Sequence, residues 1–316
     1  MTGWQPAPVT VRTPATSANL GPGFDSLGLA LDLHDEVTVE VAAAPGVAIE
    51  VEGEGAEVAG RGERHLIVQV VRRTLAAIDA RAGTRYAARA AGVRLRCVNR
   101  IPHSRGLGSS SAAIVAGIVA ARHLHPAGES FGDDDALRLA TEIEGHPDNV
   151  APCLAGGLTI AWTGAAGARL VRLDPQIKGG VVAFVPDQRL ATEQARGLLP
   201  DAVPHRDAAA NAARAALLVA ALTGGLPADV LLDATEDRLH QDYRAPAMPA
   251  SADLVARLRA AGVPAVISGA GPTVLAFTTA SRLDSIGAEV GTGWHEHPLE
   301  VAPHGARVRP GAPAGG

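Results

Sequence analysis

Residues 101–113 read Ile-Pro-His-Ser-Arg-Gly-Leu-Gly-Ser-Ser-Ser-Ala-Ala, with glycines and hydroxyls spaced as an anion site needs them. Gly106 and Gly108 permit backbone angles and a close approach that a Cβ forbids. Ser109, Ser110 and Ser111 fall where a helix begins and its first N–H groups lack partners. The chemistry this suggests is phosphate binding. A Walker loop needs a lysine to reach the terminal phosphates, and Lys178 is the only lysine of the chain. The third glycine of a dinucleotide fingerprint is missing, and the G-x-S-x-G pattern of a hydrolase elbow is not met.

Three other stretches carry polar side chains among apolar neighbours. Residues 14–25, Pro-Ala-Thr-Ser-Ala-Asn-Leu-Gly-Pro-Gly-Phe-Asp, are too punctuated by Gly and Pro for regular structure. Residues 144–152, Glu-Gly-His-Pro-Asp-Asn-Val-Ala-Pro, form a polar knot, and residues 269–273, Gly-Ala-Gly-Pro-Thr, a further glycine-rich turn. On residue chemistry alone Asn19 and Asp25 could equally be turn residues bonding their own backbone, and His146 a satisfied loop histidine. The triplet Asp133-Asp134-Asp135 reads as the acidic first turn of a helix, because three adjacent carboxylates point in different directions around its axis.

The elements that must position these residues follow from periodicity and punctuation. Strands are expected at 9–13, 27–33, 36–41, 47–51 and 93–98, with 27–33 and 36–41 as a hairpin-like pair. Helices are expected at 66–82, ended by Gly83, and at 110–124 and 133–144. The anion turn thus lies between a strand and a helix. Strands at 156–162, 169–173 and 180–185 come next, then helices at 192–199, 208–222, 226–240 and 254–261. Strands at 264–268 and 274–277 flank the last glycine turn. A domain boundary is placed at 165/166, within the Gly- and Pro-bearing stretch 163–178. The first domain is then 1–165 and the second 166–302. Residues 303–316, mostly Gly, Pro, Ala and Arg, are expected to be a loose tail with little to bury.

Composition excludes several classes. A chain of 316 residues with 47% hydrophobic and 19% charged residues can bury a core, and with 3% aromatics that core must be aliphatic. A formal net charge of -5 argues against nucleic acid as a partner. Cys97 and Cys153, far apart, form no metal motif and suit a reducing cytoplasm. No leader-like or membrane-length apolar run is present. His295, His297 and His304 read as scattered composition and not as a metal site.

The pattern P-x-x-x-G-L-G-S-S-S-A-A between a strand and a helix resembles the loop of the GHMP kinases, the family of galactokinase, homoserine kinase, mevalonate kinase and phosphomevalonate kinase. Residues 14–25 and 269–273 resemble that family's first and third motifs, in the same order along the chain. The forms of residues 14–25, 144–152 and 238–244 are most similar to the members that phosphorylate homoserine. The resemblance implies an α+β fold of two domains, the first an ATP-binding domain with a mixed or antiparallel sheet and the second ferredoxin-like. It also implies Mg²⁺ with ATP as phosphoryl donor, L-homoserine as acceptor in a step toward threonine, and a homodimer.

Carried over position by position, the resemblance assigns ATP phosphates to Pro102, His103, Ser104, Arg105, Gly106, Leu107, Gly108, Ser109, Ser110, Ser111 and Ala112. It assigns the amino end of the acceptor to Asn19 and Asp25, and its carboxylate to Arg196 and Arg244. His146, Asn149 and Gly269 would help orient it. Asp148, Asn149 and Thr192 fall at the reaction centre, with Asp148 at the position of the base in other members. The metal is expected on Ser110 and a glutamate, Glu142 in preference to Glu144. Two departures stand out: Arg64-His65-Leu66 where Asn usually precedes the apolar segment beside the adenine, and Asp242 where Pro is usual. A catalytically silent metabolite or nucleotide sensor, or a kinase of another small alcohol, is the alternative.

Overall fold

The structure is a computed structural model that describes residues 7–177, 180–224, 226–278 and 290–309. Its elements in chain order are β1 (Val9–Ala18), β2 (Leu27–Ala42), β3 (Gly46–Gly53), α1 (Leu66–Ala82), β4 (Gly92–Asn99), α2 (Ser109–Leu124), α3 (Asp133–Glu144), α4 (Val150–Ala155), β5 (Leu158–Gly164) and β6 (Gly167–Leu173). There follow β7 (Val181–Pro186), α5 (Thr192–Arg196), α6 (His205–Gly224), α7 (Ala228–Ala234), α8 (Gln241–Arg244), α9 (Pro249–Ala260), β8 (Ala265–Ile267), β9 (Val274–Ala276), β10 (Trp294–Leu299) and β11 (Arg307–Arg309).

The first sheet has the order β11-β1-β2-β4-β3, with β5 joined to β2 and β6 to β5. Among the described residues only β3 and β4 run parallel, which makes the sheet mixed. Alternation in β2 and β4 turns Val37, Val39, Val41, Val93 and Leu95 to the core, where they meet Val68, Val71, Leu75 and Ile78 of α1 and Ile114, Val115 and Ile118 of α2. Each such side chain contributes on the order of 1.5–3 kcal/mol by leaving water. Small and β-branched residues let α2 be buried nearly all round, so the anion turn at its start stands on the centre of the domain. The second sheet, β10-β7-β9-β8, is antiparallel throughout. Counted along the chain its strand order is 4-1-3-2, that of a ferredoxin-like layer. Its core is Val182, Phe184, Leu254, Leu258, Ile267 and Val274. Among the described residues no helix is long and apolar enough to cross a membrane.

The structure corrects several expectations. Segments 27–33 and 36–41 are one strand, β2; a shift of register between Pro14 and Ala15 of its partner β1 absorbs the break in alternation. The first half of 14–25 is strand, since β1 runs to Ala18. Helix 192–199 stops at Arg196. The helix expected over 226–240 ends at Ala234, because the Asp237 carboxylate accepts the N–H groups of Leu239, His240 and Gln241 and starts a new turn there. β6 pairs with β5, so the change of sheet falls after Leu173 and not at 165/166. Within the expected tail, Arg307–Arg309 pair with Thr10, Val11 and Arg12 of β1; residues 310–316 of it lie outside the described residues, as do Lys178 and Gly225.

Candidate active site

The three glycine-bearing motifs, far apart in sequence, are bound to one another mainly through the backbone. Thr16 N–H donates to Leu107 O at 3.0 Å, Gly269 N–H to Ala18 O at 3.1 Å, and Thr273 N–H to Arg105 O at 3.2 Å. Ser268 Oγ lies 2.6 Å from Gly106 O and 2.8 Å from Ser17 Oγ. Contact this close requires glycine. A Cβ on Gly106 would sit 2.3 Å from Ser268 O, and one on Gly108 1.9 Å from Thr16 Oγ1. Both glycines also hold positive φ, 80° and 71°.

Gly108 is the N-cap of α2 and brings no side-chain cap. The first N–H to find a helical partner is that of Ala112, on Gly108 O, so those of Ser109, Ser110 and Ser111 are left for an anion at the positive end of the helix. Of the other residues expected at the phosphates, Ser104, Gly106, Gly108, Ser109 and Ser110 line a cavity of about 130 Å³. Pro102, Leu107, Ser111 and Ala112 are buried beneath it. Arg105 turns away, its guanidinium donating to Pro186 O and Asp187 O and bracing the turn against β7.

Glu142, the glutamate expected in preference for the metal, does not reach the turn. Its carboxylate sits at the surface, paired with Arg73 at 2.7 Å. Residues two apart on a helix face opposite ways, and it is Glu144, at the end of α3, that reaches the turn. Its Oε2 accepts from Ser110 Oγ at 2.8 Å and its Oε1 from Ser111 Oγ at 2.9 Å. Glu144 with the Ser110 hydroxyl is a donor set that fits Mg²⁺, which takes one or two protein oxygens and completes its shell with water and phosphate.

The opposite wall of the cavity carries Asn19, His146, Asp148, Asn149, Thr192, Arg196, Arg244 and Gly269. Asn19, at φ 67°, donates from Nδ2 to Gly269 O at 2.8 Å and accepts the Asp25 N–H on Oδ1 at 2.9 Å, so it ties the first motif to the third. Asp25 is held in a two-pronged pair by Arg196, at 2.6 and 3.1 Å; this hydrogen bond, against the cost of burial, raises the arginine's pKa further. Arg244 is 1% exposed. Burial, then Arg196 nearby, lowers its pKa against the pull of Asp25, Asp237 and Asp148, and its Nε has no partner. His146 Nδ1 lies 2.5 Å from Asp148 Oδ1. Burial disfavours the imidazolium, but the bond to Asp148 and the charges of Asp148 and Glu144 outweigh it and raise the His146 pKa. Asn149 Oδ1 accepts from Thr16 Oγ1 at 2.9 Å. Thr192 opens α5 at the rim.

A second cavity, of about 200 Å³, meets the first at Ser104, Ser109 and Ser110. Its walls include Val37, Val58, Leu66, Ile67 and Ala113, with Asp35, His65, Asn99 and His103 among them. His65, at the first departure from the family pattern, is buried with Nδ1 unpartnered. The structure also brings in residues that motif reading passed over. Thr16 orients Asn149, and Leu190 and Ala270 line the first cavity. The Phe24 ring lies under both guanidiniums, 5.8 Å from Arg196 and 5.3 Å from Arg244. Phe24 stands directly before Asp25 in the quoted motif, so its position was available as a signal.

The family models for the GHMP kinases N terminal domain and GHMP kinases C terminal match residues 65–157 and 218–296. A homoserine kinase of Streptomyces coelicolor is 56% identical over 98% of this chain and 96% of its own length. One of Clavibacter michiganensis is 51% identical over 84% of this chain and 81% of its own. Among solved structures, a homoserine kinase from Cytophaga hutchinsonii superposes with a TM-score of 0.80 at 27% identity, covering 96% of this chain and 97% of that one. A mevalonate kinase of Leishmania major solved with R-mevalonate (TM-score 0.68, 13% identity, 96% and 98% covered) shares the fold.

Proposed function

The chain belongs to the GHMP kinase family, and we propose that within it this protein transfers the γ-phosphoryl group of ATP to the hydroxyl of L-homoserine, giving O-phospho-L-homoserine and ADP. The observation that carries this reading is that one cavity is lined both by the open start of α2 and by two arginines, the buried Arg244 and Arg196, the latter paired with Asp25. A zwitterion laid head to tail against an ion pair places its carboxylate on the guanidinium and its ammonium on the aspartate. Arg244, which also lines the cavity, supplies a second guanidinium for the carboxylate. The high likeness to homoserine kinases supports the same acceptor.

The N–H groups of Ser109, Ser110 and Ser111 receive the phosphates, and the largely apolar second cavity beside them receives the base. Glu144 and Ser110 would hold Mg²⁺, which supplies charge neutralisation at the phosphates. Thr16 fixes the amide of Asn149, and Asp148 fixes the ring of His146, so both are oriented before the acceptor arrives. The acceptor oxygen bonds to the γ-phosphorus as the bond to the β–γ bridging oxygen breaks. In a loose transition state the hydroxyl proton leaves late, and positioning matters more than a strong base. ADP release measured with Mg·ATP and homoserine, mevalonate, galactose or no acceptor tests the reading. Turnover with homoserine alone is expected; nucleotide binding without turnover on any of them would favour a sensor. A homodimer belongs to the same proposal and is read from the native mass.

A further inference from the structure

His240 has no place in the chemistry above, yet it is fully buried and each ring nitrogen has a partner. Its Nε2 lies 2.8 Å from Gly21 O. A carbonyl oxygen only accepts, so Nε2 carries the proton. Its Nδ1 lies 3.2 Å from Arg244 Nη1, and a guanidinium only donates, so Nδ1 presents its lone pair. The two contacts are compatible with one state of the ring, the neutral Nε2–H tautomer. Phe24 stacks on this imidazole with centroids 5.1 Å apart and also lies under the Arg244 guanidinium. Nη1 has a second, longer contact to Gly269 O at 3.4 Å. One edge of the guanidinium is therefore tied to His240 and the third motif, while Nε, on a side chain that lines the cavity, stays unpartnered.

We propose that His240 is a positioning residue for the acceptor: as a neutral Nε2–H imidazole braced on Gly21, it holds Arg244 in the orientation that receives the substrate carboxylate. The inference rests on the acceptor reading above. A protonated ring would set an N–H against an N–H and a cation against Arg244. Burial keeps the imidazole neutral and lowers its pKa, against the charges of Asp237 and Asp25 that would favour protonation. His240 precedes Arg244 by four residues and opens α8, so the pair is set by one helical turn, and the Gly21 contact links it to the loop that carries Phe24 and Asp25.

Two variants separate the ring's contacts. His240→Asn keeps an acceptor near the Nδ1 position and loses the Gly21 contact. His240→Gln keeps a donor near Nε2 and loses the acceptor for Arg244. The expected result is a KM for homoserine about tenfold higher in the Gln variant, the size of one lost hydrogen bond to a charged group, with KM for ATP unchanged and the Asn variant within about threefold of the parent. A merely structural histidine would lower thermal stability in both variants and leave the homoserine KM alone, and that outcome overturns the proposal. Nitrogen chemical shifts of the ring in the unaltered protein give a second readout that no folding defect can confuse: an Nδ1–H tautomer or a doubly protonated ring at neutral pH refutes it. If the parent does not phosphorylate homoserine, the acceptor reading falls and the inference with it; if the parent does and both variants keep its KM, only the positioning role falls.

Discussion

Glu142 and Glu144 stand two residues apart on one helix, and replacing each by Gln asks which carboxylate belongs to the phosphoryl-transfer site. Glu144 accepts from both Ser110 and Ser111. Hydrogen bonds to a charged group are worth about 1.5–3 kcal/mol each, and a carboxylate that also holds the metal supports several kcal/mol of transition-state charge stabilisation. Gln keeps one acceptor oxygen and loses the charge, so a loss of about 3–4 kcal/mol is expected, roughly 10²- to 10³-fold in kcat. Among the described residues the Glu142 side chain is tied only to Arg73, and both side chains are at least half exposed; such a pair is worth about 0–1 kcal/mol of stability, and kcat should not move. Steady-state kcat over a Mg²⁺ titration measures both, and Glu144→Gln should in addition need more Mg²⁺ for half-maximal rate. An E142Q enzyme as slow as E144Q, or an E144Q enzyme within about threefold of the parent, refutes the assignment.

Gly108→Ala forces a Cβ into a left-handed residue and onto Thr16 Oγ1. At about 1–2 kcal/mol for the backbone and about 1–3 for overpacking, a loss of roughly 2–5 kcal/mol by denaturant unfolding is expected, and an unaltered midpoint would contradict the packing. Asp148→Asn should keep measurable turnover, since the step depends on positioning; a dead enzyme that still binds ATP would restore Asp148 as an obligatory base. The same variant removes the Asp148 charge and leaves at most a neutral acceptor in place of the charged hydrogen bond that raises the His146 pKa, so that pKa, followed by NMR, should fall. Asp35, buried with its Oδ1 on the N–H groups of Arg100 and Ile101, has its pKa pushed up to about 6, chiefly by burial and against those bonds. A raised carboxyl pKa favours the native state at low pH, and that contribution is lost as pH rises from the ordinary value of 3.8 through about 6. Asp35→Asn should therefore flatten the stability profile in this window and stabilise the protein at about pH 8 by up to ~3 kcal/mol, less what the amide loses as an acceptor; an unchanged slope would refute the sign.

What could be read from the sequence was what depends on local backbone geometry. Gly106 and Gly108 are dictated by φ and by contacts within a few ångströms, so the anion turn, its flanking strand and the start of α2 were legible at once. The acidic triplet was legible for the same reason: Asp135 accepts the Gly132 N–H within its own first turn. The choice between Glu142 and Glu144 was not, because it depends on the rotation of α3 against α2, which a helical period alone leaves free. The break at residue 235 was hidden by good helix formers on either side, although Asp237, three residues before His240, carries the signal of a new cap.

The acceptor half of the site shows the same boundary from the other side. Asp25 and Arg196, 171 residues apart, were each readable as members of motifs, and their mutual pairing was not, since it exists only once α5 is folded over the first loop. That pairing changes what each residue can do. An isolated Asp25 would select a cation and an isolated Arg196 an anion; joined, they present a dipole that favours a ligand carrying both charges at the separation of an α-amino acid. On the acceptor reading proposed above, selectivity would depend on that contact between the two halves of the chain, whereas the anion turn is set mainly by one stretch of sequence. Substitutions that loosen that contact, at Gly21, Phe24 or His240, should reduce discrimination between acceptors before they reduce ATP binding, and competition assays with acceptors lacking the amino or the carboxylate group measure the order in which the two are lost.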